Sequence, residues 1–351
     1  MKLLITGGCG FVGSHLAASA LDKQEQVFII DSLFRLGADK NKIWLELKAE
    51  KNQLMIEIFD IADAKSVNNF FEKFGPFDGI AHLAGQVAMT TSMENPRLDF
   101  LTNVVGTFNL LEATRHYSPK ATFIYASTNK VYGEMKQVKI EEREKRYISP
   151  DFPNGFNESF QLDFSSPYGC SKGAADQYVR DWHRNYGLNT IVFRHSSIYG
   201  GRQYGTFDQG WISWFSLQAL LQKQCLLKGK RVNPFTIAGN GKQLRDILYI
   251  DDLINLYEKS FLNTNISHGE IFNIGGGINN SVSLLELFNI LSRILDIELI
   301  FEAKDWRHSD QKFFVCNVDK INQFINWQPR TSCLIGIEKY LNSLTNFHEL
   351  N

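Results

Sequence analysis

Lys2-Leu3-Leu4-Ile5-Thr6-Gly7-Gly8-Cys9-Gly10-Phe11-Val12-Gly13 opens the chain: an apolar run, glycines at positions 7, 8, 10 and 13, and the first turn of an amphipathic stretch. Strand, glycine turn and helix, in that order, give the glycine pattern its meaning. The backbone must turn tightly, approach a pyrophosphate without a Cβ in the way and pack a helix close on a strand, while the helix N-terminus offers unpaired N–H groups. The reading is a dinucleotide site lined by Gly7, Gly10, Phe11, Val12 and Gly13. Asp31 ends the second apolar run, where an acid bonds ribose hydroxyls and repels a 2′-phosphate, so NAD is favoured. Arg35 is near enough to accommodate that phosphate and keeps NADP open.

Outward from this loop, β-rich runs at Lys2–Thr6, Val27–Ile30, Met55–Phe59, Gly79–Leu83, Thr122–Ala126 and Thr190–Arg194 alternate with amphipathic stretches. The latter are Phe11–Leu21, Ala64–Phe74, Arg97–Arg115 and Pro167–Tyr186. The alternation predicts an α/β fold, a Rossmann-type doubly wound parallel sheet, over residues 1–200. Asp60 and Ile61 follow the third strand, and Leu83, Ala84 and Gly85 end the fourth, on the carboxyl edge where a dinucleotide binds. Asp60 suits the adenine side and equally suits a strand-end cap. Past Gly200 the rhythm changes to an aromatic-rich segment at Trp211–Leu221, a strand at Phe235–Ile237 and helices near Leu253–Phe261, Leu284–Leu295 and Leu334–Leu344. Residues 201–351 read as a smaller mixed α/β substrate-binding lobe, with part of 245–275 returning to the sheet.

With 351 residues, 44% of them hydrophobic and 21% charged, the chain has ample material for a large core in one or two domains. A formal net charge of -1 gives no electrostatic case for nucleic acid or an anionic membrane, and no apolar run approaches a membrane span. The first apolar run is too short for a signal peptide. Cys9, Cys170, Cys225, Cys316 and Cys333 are scattered without paired metal-ligand spacing, which implies a reducing, cytoplasmic setting and no metal site.

Tyr168-Gly169-Cys170-Ser171-Lys172 supplies the chemistry. On a helix, residues four apart share a face, so the Lys172 ammonium stands beside the Tyr168 phenol. A unit charge about 4 Å away at an effective dielectric near 20 is worth roughly 4 kcal/mol, or about 3 pKa units, enough to bring a phenol toward neutral pH. The pair is common by chance on exposed helices. Joined to the glycine loop, it reads as acid/base support for hydride transfer.

Thr6-Gly7-Gly8-x-Gly10-x-x-Gly13, Asn103-Val104-x-Gly106-Thr107, Ser127–Gly133, Ser166–Lys172 and Arg194 through Tyr199-Gly200 together resemble the extended short-chain dehydrogenase/reductases that act on nucleotide sugars. The likeness covers nearly the whole chain. Ala84–Ser92, Ser166–Tyr178 and Phe193–Ser197 are similar to the branch of that family that inverts C2 of a CDP-hexose.

The resemblance implies that Thr128, Tyr168 and Lys172 are catalytic, that Asn103 and His195 join Tyr168 and Lys172 against the cofactor, and that Thr128 and Asn129 meet the sugar. It also places Phe235 near the base, Arg245 and Arg307 on the diphosphate, and Asp310 on the ribose. Family members that eliminate water carry acidic residues after the threonine. Asn129 and Lys130 cannot serve as those acids, which leaves epimerisation or simple oxidoreduction. The expected protein is an NAD-dependent epimerase of a CDP-sugar, a homodimer or homotetramer. A CDP-glucose 2-epimerase, a UDP-sugar 4-epimerase, a nucleotide-sugar reductase or dehydrogenase, and a silent nucleotide-binding protein are the alternatives. Glu134–Phe164 is expected to shape the sugar pocket, with Lys136–Arg146 as a solvated loop.

Overall fold

The structure is a computed structural model that describes residues 1–263, 268–306 and 311–348, with backbone alone for 345–348. Its centre is a parallel sheet of β1 (Lys2–Thr6), β2 (Gln26–Asp31), β3 (Leu54–Ile58), β4 (Gly79–His82), β5 (Thr122–Thr128), β6 (Asn189–His195) and β7 (Ile271–Ile274), in the order β3-β2-β1-β4-β5-β6-β7. The doubly wound sheet expected from the alternation is present.

Side chains alternate across it as the period of a strand requires. Leu3, Ile5, Ile29, Ala81, Ile124 and Phe193 enter one buried cluster, with α1 (Phe11–Asp22) and the helix Ile250–Leu262 over them. Leu4, Ile30, Ile80, Phe123, Tyr125 and Val192 enter the opposite one, under α3 (Ala64–Phe74), α4 (Gly106–Tyr117) and α5 (Ser166–Tyr186). Both faces are covered, which is why these strands read as continuous apolar runs.

Three features depart from the reading. A helix, α2 (Ala38–Lys48), stands between β2 and β3 where none was expected; it buries only Ala38, Asn41 and Leu45. The stretch expected as one helix over Arg97–Arg115 divides into a short helix Pro96–Phe100, a π-helical turn Leu101–Val105 and α4. The Lys136–Arg146 segment is not simply solvated: Arg146 makes two 2.6 Å bonds to Glu286, Ser283 donates to the Lys145 carbonyl at 2.6 Å, and Glu141–Glu142 pairs with Tyr147–Ile148.

After β6 the chain adds smaller sheets to the central one. Leu244–Tyr249 pairs with Ser197–Tyr199, Ser281–Ser283 and Phe313–Phe314, while Phe235–Ala238 pairs with Phe301–Lys304. Between Leu244–Tyr249 and Ser281–Ser283 the chain returns to the central sheet as β7, alongside β6. Val131, Tyr132 and Phe156 pack with Phe314 and Cys316 in a third core that ties the 134–164 segment to residues 313–316. Among the described residues no helix is long and apolar enough to cross a membrane.

Candidate active site

The turn from β1 into α1 is built for a close approach. Gly7 has φ +69°, and a Cβ there would come within 2.7 Å of the Ala84 nitrogen; one on Gly13 would meet the Gly7 carbonyl at 2.2 Å. No side chain caps α1 at Gly10, so its first N–H groups face outward. Gly7, Gly10, Phe11, Val12 and Gly13 line one cavity of about 380 Å³ with Asp31, Asp60, Ile61, Leu83, Ala84 and Gly85. The expected residues on four strand ends therefore converge. Asp31 is buried at the end of β2 and accepts from Cys9 N at 2.9 Å and Leu33 N at 2.8 Å. Asp60 accepts from Ala62 N at 2.9 Å, so it caps its own turn while facing the cavity. A glycine cradle, a free helix N-terminus and an acid at the second strand's end fit the diphosphate and ribose of a dinucleotide.

A buried chain of hydrogen bonds runs beneath this cavity. Thr107 donates its hydroxyl to the Asn103 carbonyl at 2.6 Å, so toward His82 Nε2, 2.9 Å away, it can only accept. That fixes the tautomer: His82 Nε2 carries the proton and Nδ1 accepts from Thr6, at 2.8 Å. Burial pushes the imidazole well below its usual pKa, with the Lys172 charge adding to the effect, so the chain holds it neutral. Asn103 itself sits in the π-helical turn, where its side-chain amide donates to the Gln86 carbonyl at 3.0 Å and Ser171 Oγ at 2.9 Å. A Cβ on Gly85 would lie 2.9 Å from Asn103 Oδ1 and 3.6 Å from Lys172 Nζ, so the cavity floor meets Lys172 here.

Thr128 ends β5 directly beside His195 of β6, and Tyr168 and Lys172 descend from the first turns of α5. The Thr128 hydroxyl hydrogen-bonds the Tyr168 phenol. The three expected catalytic residues are thus together, and all are buried. Their electrostatics differ from the expectation. Burial pushes Tyr168 up to about 12, and the bond from Thr128 opposes that only in part. Lys172 does not offset it, because its ammonium donates to the Ala126 carbonyl at 2.5 Å and lies 4.4 Å from the centre of the Tyr125 ring. The lysine is itself pushed down to about 7 by burial, with Asp99 and Asp176 opposing. Desolvation of a fully enclosed phenol outweighs the single charge that sequence spacing supplied. His195 is neutral for the same reason, its pKa lowered to about 3 by burial and then by Lys172.

A second cleft of about 460 Å³ opens between the helix Met89–Glu94, Ser166, Phe207 and residues 236–238 of the strand Phe235–Ala238. It adjoins the first: Thr91 lines one and Thr90 the other. Phe235, expected beside a base, is instead buried against Phe215, Phe288 and Phe301, because strand alternation turns it inward and leaves Thr236 and Ala238 facing outward. Arg245 donates to the carbonyls of Leu244 and Gln311. Arg307 and Asp310 lie outside the described residues. Asn129 accepts from Thr128 Oγ1 at 3.4 Å.

The GDP-mannose 4,6 dehydratase family matches residues 4–340. The chain belongs to that family. Within the GDP-mannose 4,6 dehydratase family it is 50% identical to a CDP-paratose 2-epimerase of Salmonella typhi over 97% of this chain and 98% of that one. A dTDP-glucose 4,6-dehydratase of Salmonella typhimurium is 32% identical over 97% of this chain and 91% of its own. Among solved structures, UDP-glucuronic acid 4-epimerase from Bacillus cereus, in complex with UDP-glucuronic acid and NAD, superposes with a TM-score of 0.80 at 25% identity, covering 99% of this chain and 100% of that one. The family name does not fix the reaction, since dehydratases and epimerases share it.

Sequence reasoning missed the segment from Gly201 to Gly210. Arg202 lies 3.6 Å over the Trp44 ring and donates to Asn41 at 3.3 Å; Arg35 donates to Gln209; Thr90 donates to Asp208 at 2.9 Å. The segment lines both clefts, through Tyr204 and Phe207. Its glycines at 201, 205 and 210 were the available signal.

Proposed function

We propose that this protein is an NAD-dependent epimerase that inverts C2 of a CDP-hexose of the paratose/tyvelose type. The observation that carries the reading is the buried meeting of Thr128, Tyr168 and Lys172, with Lys172 Nζ reaching the Gly85 edge of the first cavity and with Asn129 and Lys130 where dehydratase chemistry would need acids. The half-identity along the full chain to a CDP-paratose 2-epimerase supports the sugar and the base.

NAD, when bound, accepts hydride from the substrate carbon and returns it, and its oxidised ring brings a positive charge into the buried pocket. Gly7, Gly10, Gly13 and the α1 N-terminus would hold its diphosphate, and Asp31 its ribose. The Tyr168 phenolate oxygen takes the C2 hydroxyl proton as the ketone forms and gives it back on reduction. Thr128 positions the reacting sugar oxygen beside that phenol. A 2-ketone then turns within the second cleft, with Arg245 and Arg307 proposed to retain the diphosphate and Asp310 the ribose. Residues 201–351 serve as the substrate lobe in this reading.

Conversion of CDP-paratose or CDP-glucose in deuterated water tests the route. Direct hydride return leaves protium at C2 by NMR. Substantial deuterium at C2 would sink the 2-keto mechanism in favour of enolisation, and no conversion of any CDP-sugar would sink the substrate assignment.

The cofactor choice has its own test. Asp31→Ala should weaken NAD binding roughly 10–100-fold, as expected where bonds to a charged group are worth about 1.5–3 kcal/mol, and weaken NADP less. Equal losses measured by calorimetry would contradict the role of Asp31. Arg35, which could serve a 2′-phosphate, is already engaged by Gln209, which supports NAD.

Self-association as a homodimer or homotetramer is also proposed, supported by the exposed rings of Phe108, Tyr178 and Tyr186 along α4 and α5. Five free thiols support a cytoplasmic site of action.

A further inference from the structure

Asp99 is fully buried, at the end of the short helix that leads into the π-helical turn, and no step described so far uses it. Its carboxylate accepts from Ser171 Oγ, from Gln86 Nε2 at 2.8 Å and from Asn103 Nδ2 at 3.4 Å. Ser171 and Asn103 are bonded to each other as well, at 2.9 Å, so the acid is the centre of a closed network. That network lies beside Lys172, and the Asp99 charge acts on its ammonium. Ser171 is its neighbour on α5, and Asn103 borders the Gly85 position beside Lys172 Nζ.

Two buried carboxylates act on Lys172, and they differ in what else they serve. Asp176 is bound by both arms of Arg194 at 2.9 Å and by Ser127 at 2.8 Å, so its charge is already matched. Asp99 has neutral hydrogen-bond partners in its network. Burial raises its own pKa, with Ser171, Gln86 and the Lys172 charge opposing. The remaining ionisable groups around the lysine are the neutral His82 and His195, the Tyr125 ring and Tyr168.

We propose that Asp99 is a positioning residue for the reaction: its buried carboxylate, held by Ser171, Gln86 and Asn103, keeps Lys172 in its ammonium form and sets the pH range in which Tyr168 works. The inference rests on the proposed epimerase chemistry for its catalytic meaning, but not for its physical test. The sign follows from charge alone. An anion favours the protonated state of every neighbour, so removing it lowers the proton affinity of both Lys172 and Tyr168. The pH–rate profile should then slide toward acid as a whole, rather than fall evenly.

The test uses the full-length protein with its cofactor, labelled at lysine Cε. The resonance absent from Lys172→Met identifies this lysine. In Asp99→Asn its titration midpoint should drop by about one pH unit, the order expected for a unit charge removed within a buried site, and Asp99→Glu should recover most of the shift. Ser171→Ala leaves the acid in place but removes a donor that keeps it ionised, so it should move the midpoint the same way by less. That variant stands in if Asp99→Asn does not fold. The acid and alkaline limbs of CDP-hexose conversion should move with the midpoint. Unchanged lysine midpoints in Asp99→Asn, or in Ser171→Ala where it stands in, would overturn the proposal, as would a uniform loss of rate with unmoved limbs. Failure to convert CDP-hexoses would leave the lysine titration readable, so the two readings fail separately.

Discussion

Tyr168→Phe should lower turnover by roughly 10²–10⁴-fold, the range a positioned general acid/base contributes. The loss should fall on kcat, because the phenol is placed to move a proton. Its ring is buried beside β5 and should still pack without the hydroxyl, so melting temperature and retained NAD should stay near wild type. The Thr128 hydroxyl, which meets the phenol, keeps Asn129 within 3.4 Å as another acceptor. Single-turnover measurement with bound cofactor checks this directly, and near-normal turnover would remove Tyr168 from the mechanism.

Arg194→Met should destabilise the fold by about 3–5 kcal/mol, the usual cost of stripping one partner from a buried ion pair. Arg194 and Asp176 are 2% and 0% exposed, and both guanidinium arms reach the carboxylate at 2.9 Å. The mutant would leave Asp176 charged and enclosed, with Ser127 and Gln177 as its remaining donors, and would take a donor from the Tyr132 hydroxyl. Urea denaturation measures the difference. The double change Arg194→Met with Asp176→Leu should recover much of the loss, because it removes the orphaned charge. A single mutant within 1 kcal/mol of wild type would show that the pair is not sealed from water.

The sheet could be read from sequence because burial on both faces forces long apolar runs, and the glycine turn could be read because only glycine fits positions 7 and 13. Helix α2 could not. Ile43 and Leu47 are exposed while Asn41 is buried, so no apolar face appears at helical spacing. Phe235 shows the limit of a short strand, in which one register step exchanges core for cleft and a resemblance gives the segment but not the face. The trio proposed as catalytic was visible as residue types, yet the phenol's acidity was not. Spacing along a helix places an ammonium near a phenol without saying that Nζ turns to the Ala126 carbonyl. Asp99 is the same lesson in reverse. One acid in an amphipathic stretch looks like surface until the π-helical turn brings Asn103, and α5 brings Ser171, around it.

The return of Ile271–Ile274 to the sheet has a consequence for biosynthesis. β6 is complete at His195, but the strand that pairs with its outer side ends at Ile274. At about 5–20 residues per second, a ribosome needs roughly 4–16 s to add the stretch between them. Throughout that interval the nascent chain presents an open backbone edge on an apolar strand, which is a template for pairing with another chain. A release near residue 200 would therefore yield a fragment that holds the whole glycine turn and every side chain proposed as catalytic, yet is prone to stick to its neighbours.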